Sequence, residues 1–351
     1  MKKKIFLIAL TFILPFFLTG CSIRLRTGNE DGGVFKSFDK GATWQQKVFV
    51  SQVKKKVTAI SDVDVTNIAI NNNDSNFIYL GTLADGLWQS FDGGEKWTSV
   101  LTNKGKINSI AFDSSSSSIA YVSMGNIIFK TADKGKNWKK IYLDAGQQAI
   151  NALAVDSNDT SKIYAGLNDG RFINSTDYGE TWQVLKNFSD VIKQILITKN
   201  NSKIIYVATA NKGFYQTIDG GNGWLDLTLN QKFSGIRSFK FAVFDKTKNN
   251  SLIIATKYGL LKTKDAGITW EEIKLLTLPG KADILSLVIN PSNANEIYYG
   301  TNLSNHLLRT KDGGETWETI DLNDKTKRKP VYLAIDQANP DVLYLGVAKI
   351  D

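Results

Sequence analysis

An eight-residue motif recurs seven times along this chain and sets the strongest limit on how it can fold. The copies read SFDKGATW, SFDGGEKW, TADKGKNW, STDYGETW, TIDGGNGW, TKDAGITW and TKDGGETW, and successive copies lie 41 to 53 residues apart. A period in this range indicates an array of supersecondary units and suits a four-stranded propeller blade. Each copy keeps an aspartate and a tryptophan: Asp39 and Trp44, Asp92 and Trp97, Asp133 and Trp138, Asp177 and Trp182, Asp219 and Trp224, Asp265 and Trp270, and Asp312 and Trp317.

Each period contains four short segments that are typical of strands. One period reads INALAV, a polar turn DSNDTS, KIYAGL, a turn NDGR, FINS, the motif itself, and finally TWQVL. Short apolar or β-branched runs between Gly, Asn, Asp and Ser clusters indicate β-structure. No segment after the N-terminal leader shows a sustained helical period. The sequence therefore predicts an all-β protein.

The two ends of the repeat region complement each other. GGVFKSFDKGATWQQKVF supplies the last two strands of a blade, and VYLAIDQANPDVLYLGVAKID supplies the first two. Joining these halves closes a ring without leaving an open sheet edge at the seam. We predict one seven-bladed β-propeller over residues 32–351, with four-stranded blades and a closing blade split between the N- and C-terminal strands.

The first 20 residues are predicted to be a lipoprotein signal peptide. A positive head, MKKK, precedes a short apolar run that contains Pro15 and is too short to favour a membrane span. The next residue, Cys21, is the only cysteine, so no intramolecular disulfide can form. Leu18-Thr19-Gly20-Cys21 resembles the bacterial lipobox, which implies lipidation of Cys21, a tether over residues 21–31, and an exported chain anchored to the extracytoplasmic side of a bacterial membrane.

The repeated motif resembles the Asp-box, also called the bacterial neuraminidase repeat. In that family the boxes join the third and fourth strands of a blade, on the face away from the ligand, which implies a structural role for all seven copies. The aspartate is expected to accept backbone hydrogen bonds, and the glycine is expected to adopt a positive φ. Trp88, outside the boxes, occupies a position that is apolar in every repeat and is predicted to be a core residue.

Residue content argues against several functions. One histidine, His306, leaves almost no material for metal clusters or histidine-dependent nucleophiles, so we predict no metal, no cofactor and no catalytic residue. Sialidases need convergent arginines, sortilin-type receptors have ten blades, and xyloglucan-cleaving enzymes carry two propellers. The chain is similar to the single-propeller photosystem II assembly factor over nearly all of its predicted mature length, although the arginine-rich patch of the photosynthetic members is not apparent.

The loops opposite the boxes are predicted to be basic. A candidate partner-binding face consists of Arg171, Lys212, Lys232, Arg237, Lys257, Lys281, Lys325, Lys327, Arg328 and Lys329. The favoured hypothesis is a non-catalytic, membrane-tethered scaffold for protein binding or membrane-complex assembly, whose partner is a protein, such as an acidic one, or an envelope glycan. Nucleic acid is not expected, because the chain is exported. The alternative is an extracytoplasmic glycoside hydrolase or glycan-binding propeller that draws on Asp85, Asp169, Asp190 or Asp283.

Overall fold

The computed structural model describes residues 31–350, apart from residues 55, 102–103 and 323. The predicted signal peptide, Cys21 and nearly all of the predicted tether lie outside the described residues. The chain first forms β1 (Gly33–Ser37) and β2 (Gln45–Gln46). A separate two-stranded hairpin follows, with β3 (Phe49–Val53) and β4 (Lys56–Ala59).

Six complete four-stranded antiparallel blades come next. Blade 1 has β5 (Val65–Asn71), β6 (Asp74–Thr82), β7 (Leu87–Ser90) and β8 (Thr98–Leu101). Blade 2 has β9 (Ile107–Phe112), β10 (Ala120–Met124), β11 (Ile127–Thr131) and β12 (Lys139–Leu143). Blade 3 has β13 (Ile150–Val155), β14 (Ile163–Leu167), β15 (Arg171–Ser175) and β16 (Gln183–Asn187).

The second half repeats this pattern. Blade 4 has β17 (Ile192–Ile197), β18 (Ile205–Thr209), β19 (Phe214–Thr217) and β20 (Leu225–Asp226). Blade 5 has β21 (Phe239–Phe244), β22 (Leu252–Thr256), β23 (Leu260–Thr263) and β24 (Glu271–Ile273). Blade 6 has β25 (Ile284–Asn290), β26 (Asn293–Thr301), β27 (Leu307–Thr310) and β28 (Glu318–Ile320), and the last strands are β29 (Lys329–Ile335) and β30 (Leu343–Ala348).

Blade 7 closes the ring as the sequence predicts. Its strand order is β2-β1-β30-β29, and β1 pairs antiparallel with β30 so that Phe35 lies opposite Leu345. The first strand of each blade is innermost and adjoins the first strand of the next, ending with β29 against β5. The seven-bladed β-propeller and its split closing blade are therefore confirmed.

The core lies between the blades. Seven hydrophobic clusters occur, one at each interface between neighbouring blades. At the interface of blades 3 and 4, for example, Tyr164 and Phe172 pack with Ile192, Ile205 and Val207. Alternation along a strand sends successive side chains to the two neighbouring interfaces, so both faces of each sheet are apolar.

The hairpin of β3 and β4 is an addition that the repeat analysis did not foresee. It accounts for the longest box spacing, 53 residues between Asp39 and Asp92. The hairpin segment joins the seam, since the Trp97 backbone N–H donates to the Phe49 carbonyl at 2.8 Å and the Trp97 indole N–H donates to the Lys47 carbonyl at 2.9 Å. Ile60 and Val63 enter the cluster between blades 7 and 1.

Candidate functional site

The seven Asp-boxes form one hydrogen-bonded device, repeated with little change. In each box the Ser or Thr hydroxyl donates to the aspartate at 2.6 to 2.8 Å. The same hydroxyl accepts the N–H of the conserved glycine at 2.8 to 2.9 Å. The aspartate accepts the N–H four residues later at 2.8 to 3.0 Å. These contacts use the polar groups of the motif inside the turn itself.

Each box also forms a backbone hydrogen bond to another part of its own blade. In all seven, the N–H of the residue after the aspartate donates, at 2.7 to 3.1 Å, to a carbonyl in the turn between the first two strands or near the start of the second strand. The boxes and these turns therefore share one end of the propeller, which we call the box face. The hydrogen bonds also stabilise the ionised aspartates: those from Thr181 and Ser175 lower the pKa of Asp177 to about 2.

The box tryptophans pack against the blade interfaces or lie within them. Trp97 is fully buried, and Trp44 and Trp270 are nearly so. The indole N–H of Trp270 donates to the Leu227 carbonyl of the preceding blade at 3.1 Å. Trp88, on β7, packs against the cluster between blades 7 and 1. All these residues contribute to packing between or within blades.

A second backbone device recurs at the opposite end of the propeller. Near the start of every innermost strand, the pairing with the second strand skips one residue, which makes a β-bulge. A bulge leaves its extra residue unpaired and redirects its side chain. The skipped residues, in order around the ring, are Thr66, Asn108, Asn151, Lys193, Lys240, Leu285 and Val331. We call this set the bulge ring.

The bulge ring encircles the mouth of the central channel. All seven residues line one cavity of about 950 Å³, together with neighbours that include Lys106, Asn211, Lys257 and Asp283. This volume is within the range of known ligand sites, roughly 300–1,000 Å³. The sequence-derived partner face included Lys257 but not the bulge ring.

The channel mouth is positively charged. Four lysines line it, Lys106, Lys193, Lys240 and Lys257, against a single carboxylate, that of Asp283. Lys240 pairs with Asp283 at 2.9 Å. Enclosure by the channel walls lowers the pKa of Lys193, and the positive charges of Lys106 and Lys240 lower it further. Lys106 and Lys240 therefore both act on Lys193, although the three lysines come from three different blades.

The part of the bulge ring on blades 6 and 7 is apolar. Leu285 and Val331, on blades 6 and 7, line the mouth beside Tyr332. Tyr332 also lines a second cavity of about 240 Å³, whose walls include Ile68, Val288 and Ile335. The channel thus changes from polar and cationic at the mouth to largely apolar further in.

Several residues of the predicted partner face have structural roles. Arg328 is 6% exposed, forms ion pairs with Asp31 and Asp64, and donates to the carbonyls of Asp62 and Val63. It therefore ties the start of β1 to blades 7 and 1.

Two further arginines of this face are also held by carboxylates. Arg171 pairs with Asp144 at 2.8 Å and with Asp169 at 2.6 Å. Arg237 pairs with Asp226 at 2.9 Å and also donates to the Lys212 carbonyl. These contacts bring Lys212 and Arg237 together between blades 4 and 5.

The lysines of the predicted partner face are scattered. Lys325 pairs with the adjacent Asp324 at 2.7 Å, and the Lys232 ammonium lies 5.2 Å from the ring centre of Phe233. Lys281 lies in the loop before β25, and Lys327 and Lys329 lie at the start of β29 or just before it. Apart from Lys257, none of the predicted residues lines the channel mouth.

The carboxylates considered for hydrolysis have different surroundings. Asp169 is paired with Arg171, and Asp190 accepts the backbone N–H groups of Asn211 and Lys212. Of the four, only Asp283 lines the channel mouth. Among the residues that the structure describes, no group of three His, Cys, Asp or Glu side chains could hold a metal ion, and no helix has the length and apolarity to cross a membrane.

Lys193 and Lys240 were missed because each lies inside an otherwise apolar strand, in IKQILI and FKFAVF. Superposing the seven repeats on the first apolar residue of the innermost strand places both lysines in the same column. At this aligned position the seven repeats carry residues as different as Asn, Lys and Leu, whereas the position immediately before it is apolar in most repeats. A polar residue near the start of an innermost strand is the signal that could have identified the site.

Comparisons with known proteins agree with this architecture. A family model described as "Photosynthesis system II assembly factor YCF48" matches residues 244–344. The xyloglucanase Xgh74A of Acetivibrio thermocellus is 25% identical over 207 residues, covering 45% of this chain and 25% of the xyloglucanase. The chain thus spans about a quarter of the length of the first curated relatives it matches.

Solved structures show the same fold. The GH74 enzyme of Niastella koreensis has a TM-score of 0.68 at 19% identity, covering 86% of this chain and 53% of the enzyme. A structure of YCF48 bound to a D1 peptide has a TM-score of 0.62 at 16% identity, covering 82% of this chain and 93% of YCF48. The chain is thus a seven-bladed β-propeller that carries Asp-box repeats, and it is similar to the YCF48 assembly factor over residues 244–344 and to the GH74 xyloglucanases over about half of its length.

Proposed function

We propose that this protein is a non-catalytic binding propeller that receives a segment of a partner protein in its channel mouth. The observation that carries the proposal is the bulge ring: one backbone device points seven different side chains into one cavity, with four lysines and one carboxylate along the wall. Complementary charge guides encounter and orientation of a partner more than it adds affinity. A partner with an acidic segment fits this wall best.

The related propeller supports a peptide ligand. YCF48, which shares this fold, has been solved with a D1 peptide bound. A cavity of about 950 Å³ is large enough for a few residues of an extended chain. We therefore infer protein binding by the present chain from two observations: the peptide bound to YCF48 and the positive charge of the channel mouth.

Anchoring to a membrane is the second part of the proposal. The described chain begins at Asp31, whose carbonyl accepts a hydrogen bond from the Thr326 hydroxyl at 2.7 Å. Thr326 lies in the loop before β29, at the same end of the propeller as the channel mouth. Asp31 lies ten positions after Cys21, which is a reach of at most about 35 Å. A lipid on Cys21 would keep the mouth close to the bilayer and favour partners in that membrane.

A glycan-binding or glycan-cleaving propeller is the second candidate, because the curated relatives include xyloglucanases. Hydrolysis by the usual mechanisms needs two carboxyl groups flanking the scissile bond. The channel mouth offers Asp283 alone, and Lys240 holds it as an ion pair. This arrangement favours binding over hydrolysis.

Co-purification from native membranes tests the proposal. The full-length protein would be crosslinked and purified beside a double variant, Lys106→Glu with Lys193→Glu. These lysines are exposed, so the variant is expected to fold. Lys140→Glu, on the outermost strand of blade 2, is the matched control.

One dominant protein that is lost only from the double variant would support the proposal. Capture of envelope polysaccharide and no protein would overturn it in favour of the glycan candidate. Reversal of Arg328 is unsuitable as a probe, since it would break the seam of the ring.

A further inference from the structure

We propose that the channel mouth is a carboxylate-binding site: Lys193 and Asn151 of the bulge ring, with the neighbouring Lys106, receive one carboxylate of a peptide, and the apolar side of the mouth receives the side chain beside it. The inference rests on the proposed protein-binding function and names the chemical group that is recognised. It assigns a role to side chains that no packing requirement explains.

The lysines of the ring are not needed by the fold. At the same bulge position the other blades carry Thr66, Asn108, Asn151, Leu285 and Val331. The backbone therefore accepts neutral polar and apolar side chains equally. Placing Lys193 near two other lysines, inside a channel, is electrostatically unfavourable in the empty protein. An anion in the cavity would remove that repulsion.

Two of these lysines are available to a ligand. Within the described part of the chain, Lys193 and Lys106 form no ion pair, and both are exposed to the solvent of the mouth. Lys240 is already paired with Asp283 at 2.9 Å. Lys193 also lies in the field of Asp190, which partly offsets the two neighbouring lysines. Lys257 is also exposed and forms no ion pair within the described residues, but Lys106 is the unpaired lysine whose charge acts on Lys193, so the site centres on Lys193 and Lys106.

Asn151 supplies an independent sign of a missing acceptor. Its side-chain Nδ2 atom is buried and has no hydrogen-bond partner among the described residues. Asn151 lines the mouth on blade 3, next to the blade that carries Lys193. Its counterpart in blade 2 does find a partner, since the Asn108 amide donates to the Gly125 carbonyl at 3.4 Å. A buried amide donor without an acceptor is destabilising, and a carboxylate oxygen would satisfy it.

The surroundings favour a carboxylate over a phosphate. Among the residues that the structure describes, no arginine lines the mouth to make the paired hydrogen bonds that phosphate sites often use. Across the ring, Leu285, Val331 and Tyr332 offer an apolar surface. A peptide carboxylate next to an apolar side chain matches both the cationic side and the apolar side of the channel mouth.

Binding of defined peptides to the full-length protein in detergent tests the site. The probe is the N-acetylated peptide Ala-Ala-Ala-Leu with a free C-terminal carboxylate. Its C-terminal amide is the neutral control, and an amidated version with Glu in place of the third Ala tests a side-chain carboxylate. Titration calorimetry would be run on the wild type, on Lys193→Asn, which copies the residue of neighbouring blades, and on Lys140→Asn as control.

We expect the carboxylate form to bind and both its amidation and Lys193→Asn to weaken binding by at least about tenfold, the loss of one hydrogen bond to a charged group. Lys140→Asn should bind as the wild type does. Tighter binding of the Glu peptide than of the free C-terminus would assign the site to acidic side chains. Equal binding of acid and amide forms would overturn the inference, and so would stronger, Lys193-dependent binding of inorganic phosphate.

The two proposals can fail separately. If no peptide binds while a native partner is still lost from the lysine double variant, protein binding stands and the carboxylate site does not. If a peptide binds through Lys193 but membranes yield only polysaccharide, the anion site is real and the protein-binding function is wrong.

Discussion

The two ends of this propeller repeat a backbone device seven times, but they treat side chains in opposite ways. At the box face, every repeat keeps a hydroxyl, an aspartate, a glycine and a tryptophan, and the hydrogen bonds that join the hydroxyl, the aspartate and the glycine close within the box. At the channel mouth, every repeat keeps the bulge, yet the bulged residue ranges from Lys193 to Leu285. Side chains that are the same in all seven repeats indicate what the fold requires. A backbone conformation that is the same in all seven repeats, but carries different side chains, indicates a surface that can acquire a ligand.

The largest expected effect comes from adding one methyl group to a box glycine. Gly314 has a φ of +104°, and a Cβ there would lie 2.3 Å from Ile273 Cγ2 of the preceding blade. We expect Gly314→Ala to lower the free energy of unfolding by about 2–4 kcal/mol, from backbone strain and overpacking together. Gly220→Ala also has a positive φ, but its Cβ meets nothing within 4 Å. It should lose only about 1 kcal/mol; equal losses in urea denaturation would contradict the packing argument.

A smaller effect is expected from removing the titration of one box aspartate. The pKa of Asp177 in the folded protein is about 2, against about 4 in an unfolded chain. A lowered carboxyl pKa stabilises the fold above pH 4, and this contribution is lost as the pH falls from about 4 to 2. Asp177→Asn should therefore flatten the fall in melting temperature over this range. An unchanged pH profile in a fluorescence melt would show that the box carboxylate contributes no acid sensitivity.

A gain in stability is expected where a box departs from glycine. The residue after the box aspartate is left-handed in all seven copies, and it is Lys134 in blade 2, with a φ of 59°. Blades 1, 4 and 6 place Gly93, Gly220 and Gly313 there. We expect Lys134→Gly to raise the free energy of unfolding by about 0.5 kcal/mol, the relief of backbone strain less the entropy that glycine adds to the unfolded chain. A loss in chemical denaturation would mean that the lysine side chain contributes to stability there.

The smallest effect on stability is expected at the bulge ring. Lys193→Asn replaces one ring residue with the type found at Asn108 and Asn151. Because Lys193 is exposed and forms no ion pair within the described residues, the free energy of unfolding should change by less than about 0.5 kcal/mol. Thermal denaturation beside Gly314→Ala measures the contrast. A large loss would place the ring among the elements that the fold requires, and would remove the distinction between the two faces.

Most of the fold could be predicted, because its determinants are repeated seven times in one chain. The box spacing, the strand-length apolar runs and the complementary ends predicted four-stranded blades and the split closure. The β3–β4 hairpin could not be predicted from the repeats, since it occurs once and no other period provides a template for it.

The candidate site was predicted only in part. The basic end of the propeller followed from loop composition, and Lys257 lies in the channel mouth. Lys193 and Lys240 could not be predicted in this way, because a bulge is set by strand pairing and leaves no mark in the composition of the loops. Arg328 was grouped with the partner face, but its burial depends on contacts with Asp31 and Asp64, which are about 300 and 260 residues away in sequence.

The pairing of β1 with β30 has a consequence for the order of events during synthesis. Phe35 must wait for Leu345, 310 positions later, before the sheet of blade 7 can form. At common translation rates of about 5–20 residues per second, this delay is about 15–60 s. Contacts so distant in sequence also form slowly once both partners exist. The growing chain therefore spends most of its production time as an unclosed arc, and the latest-made strand decides when the molecule becomes a ring.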